Sequence, residues 1–114
     1  MSTITTHVLD TSLGRPAAGI RVRLESEAGE GTWNEVGKGI TDDNGRVKDL
    51  VRSASAIQAG VYRLIFDTEP YFAKHHVQGF YREVSIVFTI RDPSQHYHVP
   101  LLLSPFGYST YRGS

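Results

Sequence analysis

Strict alternation of apolar and polar residues in short segments is the feature that most limits what this chain can fold into. It is clearest at residues 20–25, where Ile20, Val22 and Leu24 alternate with arginine and glutamate. A period of two puts neighbouring side chains on opposite faces of an extended strand, so such a segment predicts a β-strand with one face in a core. The segments predicted as strands are residues 3–9, 20–25, 32–41, 61–68, 84–91, 97–103 and 108–114.

Tight turns separate the predicted strands. Asn44-Gly45 suits the positive backbone torsions of a hairpin turn, and the Ser-Pro-Phe-Gly run at 104–107 forms a second reversal. Residues 70–79 begin with proline and end with glycine, which predicts one short helix. The aromatic residues expected to pack beneath it are Tyr71, Phe72, Phe80 and Tyr81. Seven or eight short strands with one helix predict an all-β fold, an antiparallel β-sandwich, as a single domain over residues 1–114.

Composition and charge narrow the functional class. The 12 Lys and Arg balance the 12 Asp and Glu, so no net field favours nucleic acid or an anionic membrane as a partner. The chain has no cysteine, which excludes disulfides and thiolate chemistry. No apolar segment approaches the roughly 20 residues that cross a bilayer. Residues 1–7 carry no leader pattern, so the expected location is the cytoplasm.

Two histidines and one arginine lie at positions where the alternating strand pattern does not require a titratable or charged residue. His7 falls on the polar face of the first strand, and His98 leaves the core face of the strand at 97–103, as does His96 beside it. Arg46 follows the Asn-Gly turn, at the start of a short strand. A histidine on an outward strand face is more often a solvated residue than a catalyst. These residues therefore form a site only if folding brings their strands together.

The end of the chain and two internal motifs resemble the 5-hydroxyisourate hydrolases, the transthyretin-related family. The resemblance rests on the His-Tyr-His-Val-Pro-Leu-Leu-Leu-Ser-Pro run at 96–105 and on the terminal Tyr-Arg-Gly-Ser at 111–114. It extends to Thr-His-Val-Leu-Asp at 6–10 and to Asn-Gly-Arg at 44–46. The motifs span the chain from the first strand to the last residue.

This resemblance implies a fold, an assembly and an activity. The family has a transthyretin-like sandwich of two sheets and eight strands, and its subunits form a homotetramer with a channel between dimers. The implied reaction is hydrolysis of 5-hydroxyisourate to 2-oxo-4-hydroxy-4-carboxy-5-ureidoimidazoline, in the route from urate to allantoin, with no cofactor and no metal. Because hormone-carrying transthyretins differ at the channel positions, the resemblance favours the hydrolase branch.

The resemblance also implies which residues form the site. His7, Arg46 and His98 are the expected catalytic residues, and all three are expected to bind substrate. The tail residues expected to contact substrate are Tyr111, Arg112, Gly113 and Ser114. Histidine, with a pKa of about 6.5, suits proton transfer to and from water. Arginine keeps its charge and offers planar donors to substrate carbonyls. Which histidine is the general base stays open on the sequence.

Other interpretations use some of the same residues. His96 and His98 share a strand face, but a catalytic zinc site needs three protein ligands, so a metal-free site is favoured. The glutamates at 25, 27 and 30 lie in or beside a glycine-rich turn, where charged surface residues are expected. The main rival function is a transthyretin-type carrier that binds a small aromatic ligand in a tetramer channel without turnover. Such a carrier has no need of two titratable groups facing one cavity.

Overall fold

Eight strands form two four-stranded sheets in residues 4–53 and 57–113, the part of the chain that the computed structural model describes. The elements are β1 Ile4–Asp10, β2 Arg15–Pro16, β3 Arg21–Gly29, β4 Thr32–Ile40, β5 Gly60–Asp67, α1 Glu69–Lys74, β6 Val84–Ile90, β7 Tyr97–Ser104 and β8 Gly107–Thr110. The first sheet has the strand order β2-β1-β7-β8, and the second has the order β4-β3-β5-β6. The predicted all-β sandwich with seven to eight strands and one short helix is therefore confirmed.

One strand pairing departs from the antiparallel prediction. β1 and β7 are parallel, with Thr5 opposite His98 and His7 opposite Pro100, whereas the other five pairings between named strands are antiparallel. Alternation determines which face a residue occupies but carries no information on strand direction. No hairpin joins these two strands, because they come from opposite ends of the chain. Their pairing brings the two strands that carry His7 and His98 side by side.

The two sheets bury their inner faces against each other. Val8 and Leu101 come from the first sheet, Leu24 and Phe66 come from the second, and all four are 0% exposed in one continuous apolar cluster. Burial of one such side chain contributes about 1.5–3 kcal/mol. A register shift of one residue would turn these side chains out of the core, so the apolar positions fix the register. Thr5, His7 and His98 consequently lie on the outer face of the first sheet.

The helix is shorter than the predicted span of 70–79. It covers Glu69–Lys74, with Pro70 in the first turn, where its missing N–H costs no helical hydrogen bond. The chain leaves the helical conformation at His76, whose φ is 58°. The predicted C-terminal glycine, Gly79, therefore lies beyond the helix and does not cap it.

Only half of the aromatic residues expected beneath the helix pack there. Tyr71 and Phe72 are buried, but Phe80 is 69% exposed and Tyr81 is 40% exposed, so their predicted burial is wrong. The early end of the helix explains the difference. Phe80 N–H donates to the carbonyl oxygen of Pro105 over 2.7 Å, which ties this segment to the turn between β7 and β8 instead.

Two strand boundaries also differ from the predicted ones. β2 forms between the predicted strands at 3–9 and 20–25 by pairing with the end of β1. β8 ends at Thr110 instead of continuing to 114, and beyond it the chain touches the first sheet again through a single bridge between Gly113 and His98. Among the described residues, no helix is both long enough and apolar enough to cross a membrane.

Candidate active site

The outer face of the first sheet carries the two histidines singled out by the sequence. Thr5 and His98 lie opposite each other across the parallel pair, and His7 lies two pairs further along, opposite Pro100. The period of two places Thr5, His7 and His98 on the same face, and all three are half-buried. The strand pattern therefore brings both predicted histidines to one surface.

A tight turn between β4 and β5 brings Arg46 to His7. The Asp42 carboxylate accepts hydrogen bonds from the backbone N–H groups of Asn44 (2.9 Å) and Arg46 (3.1 Å). Gly45 has a φ of 76°, which suits glycine. Its carbonyl oxygen accepts a 2.8 Å hydrogen bond from Val8 N–H. Arg46 then forms an isolated antiparallel bridge with His7 and keeps its side chain exposed beside it.

The pKa of Asp42 reflects the same turn. The backbone hydrogen bond from Arg46 is the largest cause that lowers it, burial opposes this, and the Asn44 N–H and the charges of Lys48 and Arg46 lower it further. A carboxylate that stays ionised holds these backbone donors in place. The Asn44-Gly45-Arg46 segment is thus fixed by an acidic residue that the sequence analysis left out of the site.

His98 is a half-buried residue of the site whose pKa is shifted. Burial lowers its pKa from the ordinary value, and the positive charge of Arg46 and the neighbouring His7 and His96 lower it further. Arg46, His7 and His96 are thus the residues whose charge acts on the His98 ring. A lowered pKa leaves His98 neutral at neutral pH, which is the form that accepts a proton.

Residues of the C-terminal tail contact two different parts of the molecule. Gly113 N–H donates to the carbonyl oxygen of His98 over 2.8 Å, and a Cβ atom on Gly113 would lie 2.6 Å from Cδ2 of the His98 ring. Tyr111 and Arg112 instead help line a separate cavity of about 270 Å³ between β6 and β7. The Arg112 guanidinium lies 4.5 Å above the Tyr97 ring.

The structure brings some of the predicted site residues together and places others elsewhere. His7, Arg46, His98 and Gly113 lie together. Tyr111 and Arg112 do not lie beside the histidines, and Ser114 is outside the described residues. Their predicted contact with substrate remains a prediction.

Sequence reasoning missed Thr5. Its hydroxyl oxygen lies 2.8 Å from Nδ1 of His98 and 3.0 Å from Nε2 of His96. The signal that could have found it is its place two residues before His7, on the same face of β1. Without the pairing of β1 and β7, however, nothing in the sequence connects Thr5 to His98.

The arrangement suits hydrolysis of a small polar substrate. A half-buried neutral imidazole can take a proton from water, and a neighbouring guanidinium can stabilise negative charge that develops on a carbonyl oxygen. Within residues 4–53 and 57–113, no three or more His, Asp or Glu side chains come together in a way that could hold a metal ion. Glu25, an acidic residue considered above, pairs with Arg63 over 2.7 Å, on the other sheet.

Comparison with known proteins identifies the family. The model of the HIUase/Transthyretin family matches residues 4–113. The 5-hydroxyisourate hydrolase of Mus musculus is 47% identical over 114 residues, which cover 99% of this chain and 96% of the mouse protein.

Two solved structures share the fold. The 5-hydroxyisourate hydrolase of Klebsiella pneumoniae aligns with a TM-score of 0.82 at 35% identity, over 97% of this chain and 92% of its own. Sea bream transthyretin in complex with thyroxine aligns with a TM-score of 0.91 at 31% identity, over 98% of this chain and 95% of its own. Sequence identity is thus higher to the two hydrolases than to this transthyretin, while the fold is common to all three. With two four-stranded sheets, outward histidines beside a turn arginine and a family match over almost its whole length, this chain belongs to the HIUase/Transthyretin family.

Proposed function

We propose that this protein hydrolyses 5-hydroxyisourate to 2-oxo-4-hydroxy-4-carboxy-5-ureidoimidazoline in urate degradation, and that the domain over residues 1–114 carries the reaction. The observation that supports this best is the half-buried His98, which shares one sheet face with His7 and whose pKa the charge of Arg46 helps to lower. A protein that only carries a ligand needs no such group with a lowered pKa. The relatives that share the highest identity given above are hydrolases of this substrate by name.

The proposed reaction opens a six-membered lactam. His98 takes a proton from water at Nε2 while the water oxygen bonds to the lactam carbonyl carbon, and the carbonyl electron pair moves to its oxygen. When this intermediate collapses, the carbon–nitrogen bond breaks, and the proton held by His98 goes to the leaving nitrogen. The product carries the new carboxyl group, so atoms and charge balance without a cofactor.

Arg46 and His7 have supporting roles in this proposal. The Arg46 guanidinium binds the substrate carbonyls and stabilises the negative oxygen of the intermediate. His7 positions the attacking water beside His98. His98 is the proposed base because its ring is held on the Nδ1 edge by Thr5, while the Cδ2 edge, which adjoins Nε2, lies next to Gly113.

We further propose that the working form is a homotetramer in the cytoplasm. The outer face that carries the histidines continues into half-buried Leu9 and Leu102, which lie opposite each other in the β1–β7 pair. Apolar rows on a sheet face are poor solvent surfaces and good interfaces. In the assembly, Tyr111, Arg112, Gly113 and Ser114 contact substrate. A fold without cysteine needs no oxidising compartment, and cell fractionation tests the location.

The test follows the ultraviolet decay of 5-hydroxyisourate that urate oxidase generates from urate in the cuvette. We expect the wild type to accelerate this decay well above the unaided rate. His98→Asn should lower kcat by about 10²- to 10⁴-fold, the usual contribution of a general base. His76→Asn is the matched control, because His76 is exposed and lies away from the site, and asparagine tolerates its positive φ. Decay at the unaided rate with folded wild type would instead favour a carrier of small aromatic ligands.

A further inference from the structure

One hydroxyl group connects two histidines at the edge of the site. Thr5 Oγ1 lies 2.8 Å from His98 Nδ1 and 3.0 Å from His96 Nε2, and both distances are those of hydrogen bonds. Thr5 is held by the parallel ladder directly opposite His98. Its β-branched side chain has few rotamers, so the hydroxyl is fixed between the two rings.

A hydroxyl in this position can donate to only one of the two rings. It has one hydrogen and two lone pairs, so it either donates to one imidazole nitrogen and accepts from the other, or accepts from both. If it donates to His96, then His98 must carry its proton on Nδ1 and leave Nε2 free to act as a base. If it donates to His98, then Nε2 of neutral His98 carries the proton and cannot accept one from water.

We propose that Thr5 is a positioning residue that couples the tautomer of His98 to the protonation state of His96. The proposal rests on the function proposed above, because it specifies how His98 is kept in its basic form. With His96 neutral, Thr5 donates to His96 and accepts from Nδ1 of His98. In this proposal, the Nε2–H of protonated His96 donates to Thr5, and the Thr5 hydrogen turns to Nδ1 of His98. His98 then stops serving as the base.

The other groups around His98 bear on this coupling. Arg46 in the turn after β4, His7 on β1 and His96 in its own segment are the residues whose charge lowers the His98 pKa, after burial. On the opposite edge, Gly113 offers backbone only. Of these groups, His96 is the one that shares the Thr5 hydroxyl with His98, so the effect of Thr5 is separable from the charges of His7 and Arg46.

The kinetic test compares Thr5→Val, which has the same shape without the hydroxyl, with Thr5→Ser, which keeps the hydroxyl. We expect Thr5→Val to lower kcat about 10-fold, the scale on which a second partner of a functional histidine acts, with KM changed less than kcat. Thr5→Ser should restore most of the rate. Thr32→Val is the matched control, because it removes an exposed hydroxyl from β4.

The pH profile separates coupling from a merely structural role. In the wild type, protonation of either His96 or His98 removes the active form. The limiting slope of log kcat against pH on the acidic side should therefore be one unit smaller in Thr5→Val than in the wild type. Equal slopes in the two proteins, or no recovery of rate in Thr5→Ser, would overturn the proposal.

Ring-nitrogen NMR tests the same point without turnover. With ¹⁵N-labelled histidine, and His98→Asn and His96→Gln for assignment, neutral His98 should carry its proton on Nδ1 in the wild type and lose that preference in Thr5→Val. A wild-type His98 with unprotonated Nδ1 would contradict the proposal even if the enzyme is active. If the tautomer depends on Thr5 but no hydrolysis occurs, the proposed function fails and the coupling stands.

Discussion

Gly113 is the residue at which the tail meets the proposed base. Its N–H donates to the His98 carbonyl oxygen, and the missing side chain leaves room for the His98 ring. Because Thr5 holds the ring from its other edge, the ring has little freedom to move away from anything added at Gly113. A single methyl group therefore tests whether this contact matters for turnover.

We predict that Gly113→Ala lowers kcat/KM by about 10- to 100-fold, since small displacements of a catalytic group are costly. The new Cβ would lie 2.6 Å from His98 Cδ2, so either the ring or the tail must shift. Gly29→Ala is the control, because a Cβ there meets nothing within 4 Å. Both variants should unfold within about 0.5 kcal/mol of the wild type, as is usual for substitutions outside the core. Full activity of Gly113→Ala would show that the tail does not act through His98.

At the level of elements, a buried carboxylate joins the end of β1 to the helix. Asp10 is 3% exposed, and it accepts hydrogen bonds from Tyr71 Oη–H (2.6 Å), Ser12 Oγ–H (2.6 Å) and the N–H groups of Ser12 and Leu13. Burial alone raises the pKa of Asp10, but these hydrogen bonds outweigh it and leave the pKa lowered. The ionised carboxylate thus stabilises the fold above the pKa of the unfolded chain, and this stability is lost as pH falls through the folded pKa.

We predict that Tyr71→Phe lowers the free energy of unfolding by about 1–3 kcal/mol at neutral pH, because it leaves a buried acceptor short of one donor. The loss should shrink as the pH falls through the folded pKa of Asp10, since the carboxyl group is then neutral. Urea unfolding at neutral pH and at acidic pH measures both effects. Tyr81→Phe, which alters a ring that is 40% exposed, is the control. A loss that is the same at every pH would assign the effect to packing alone.

The strands and the helix show which features of the fold could be predicted from the sequence. The faces of β1, β3 and β7 follow from alternation, because a period of two leaves one side for the core, and the predicted inward apolar residues of all three are buried; Pro100 of β7, predicted to point outward, is buried as well. The direction of the β1–β7 pair does not follow, since it depends on contacts between residues about ninety positions apart. The end of the helix at Lys74 was missed because the positive φ that follows it is adopted by His76, a residue other than glycine.

The site residues also differ in how far their positions could be predicted from the sequence. His7 and His98 could be placed on outward strand faces from spacing alone, and Arg46 could be placed at a turn by Asn44-Gly45. Their convergence, and the place of Thr5 between two rings, required the strand order of the first sheet. Tyr111 and Arg112 could not be placed, because the chain leaves the strand after Thr110 and its direction there is set by packing on Tyr97 rather than by a repeat.

For the whole molecule, the outer face of the first sheet is the surface whose apolar residues call for a covering partner. Leu9 and Leu102 lie there as a half-buried pair next to His7 and Pro100. The turn after β7 adds Phe106, which is 74% exposed at the edge of this sheet, while Tyr108 of β8, 42% exposed, lies opposite Leu103 on the face turned toward the core. Exposed apolar area of this kind is typical of a subunit interface, and here it adjoins the proposed catalytic surface. The proposed tetramer would therefore also control access to the site.

We predict that the wild type sediments as a species of four times the 12.7 kDa chain mass, and that Leu102→Glu dissociates it. A glutamate at this position would bury a carboxylate against the apolar face of another subunit, where no partner compensates the cost of removing it from water. Ile40→Glu is the control, because Ile40 is an exposed apolar residue on β4 of the other sheet. Sedimentation velocity, with turnover measured on the same samples, gives the result. The dissociated Leu102→Glu variant should sediment at a lower mass than the wild type and also lose turnover. A wild-type monomer with full turnover would mean that one chain holds the complete site, and the exposed aromatic residues would then need another explanation.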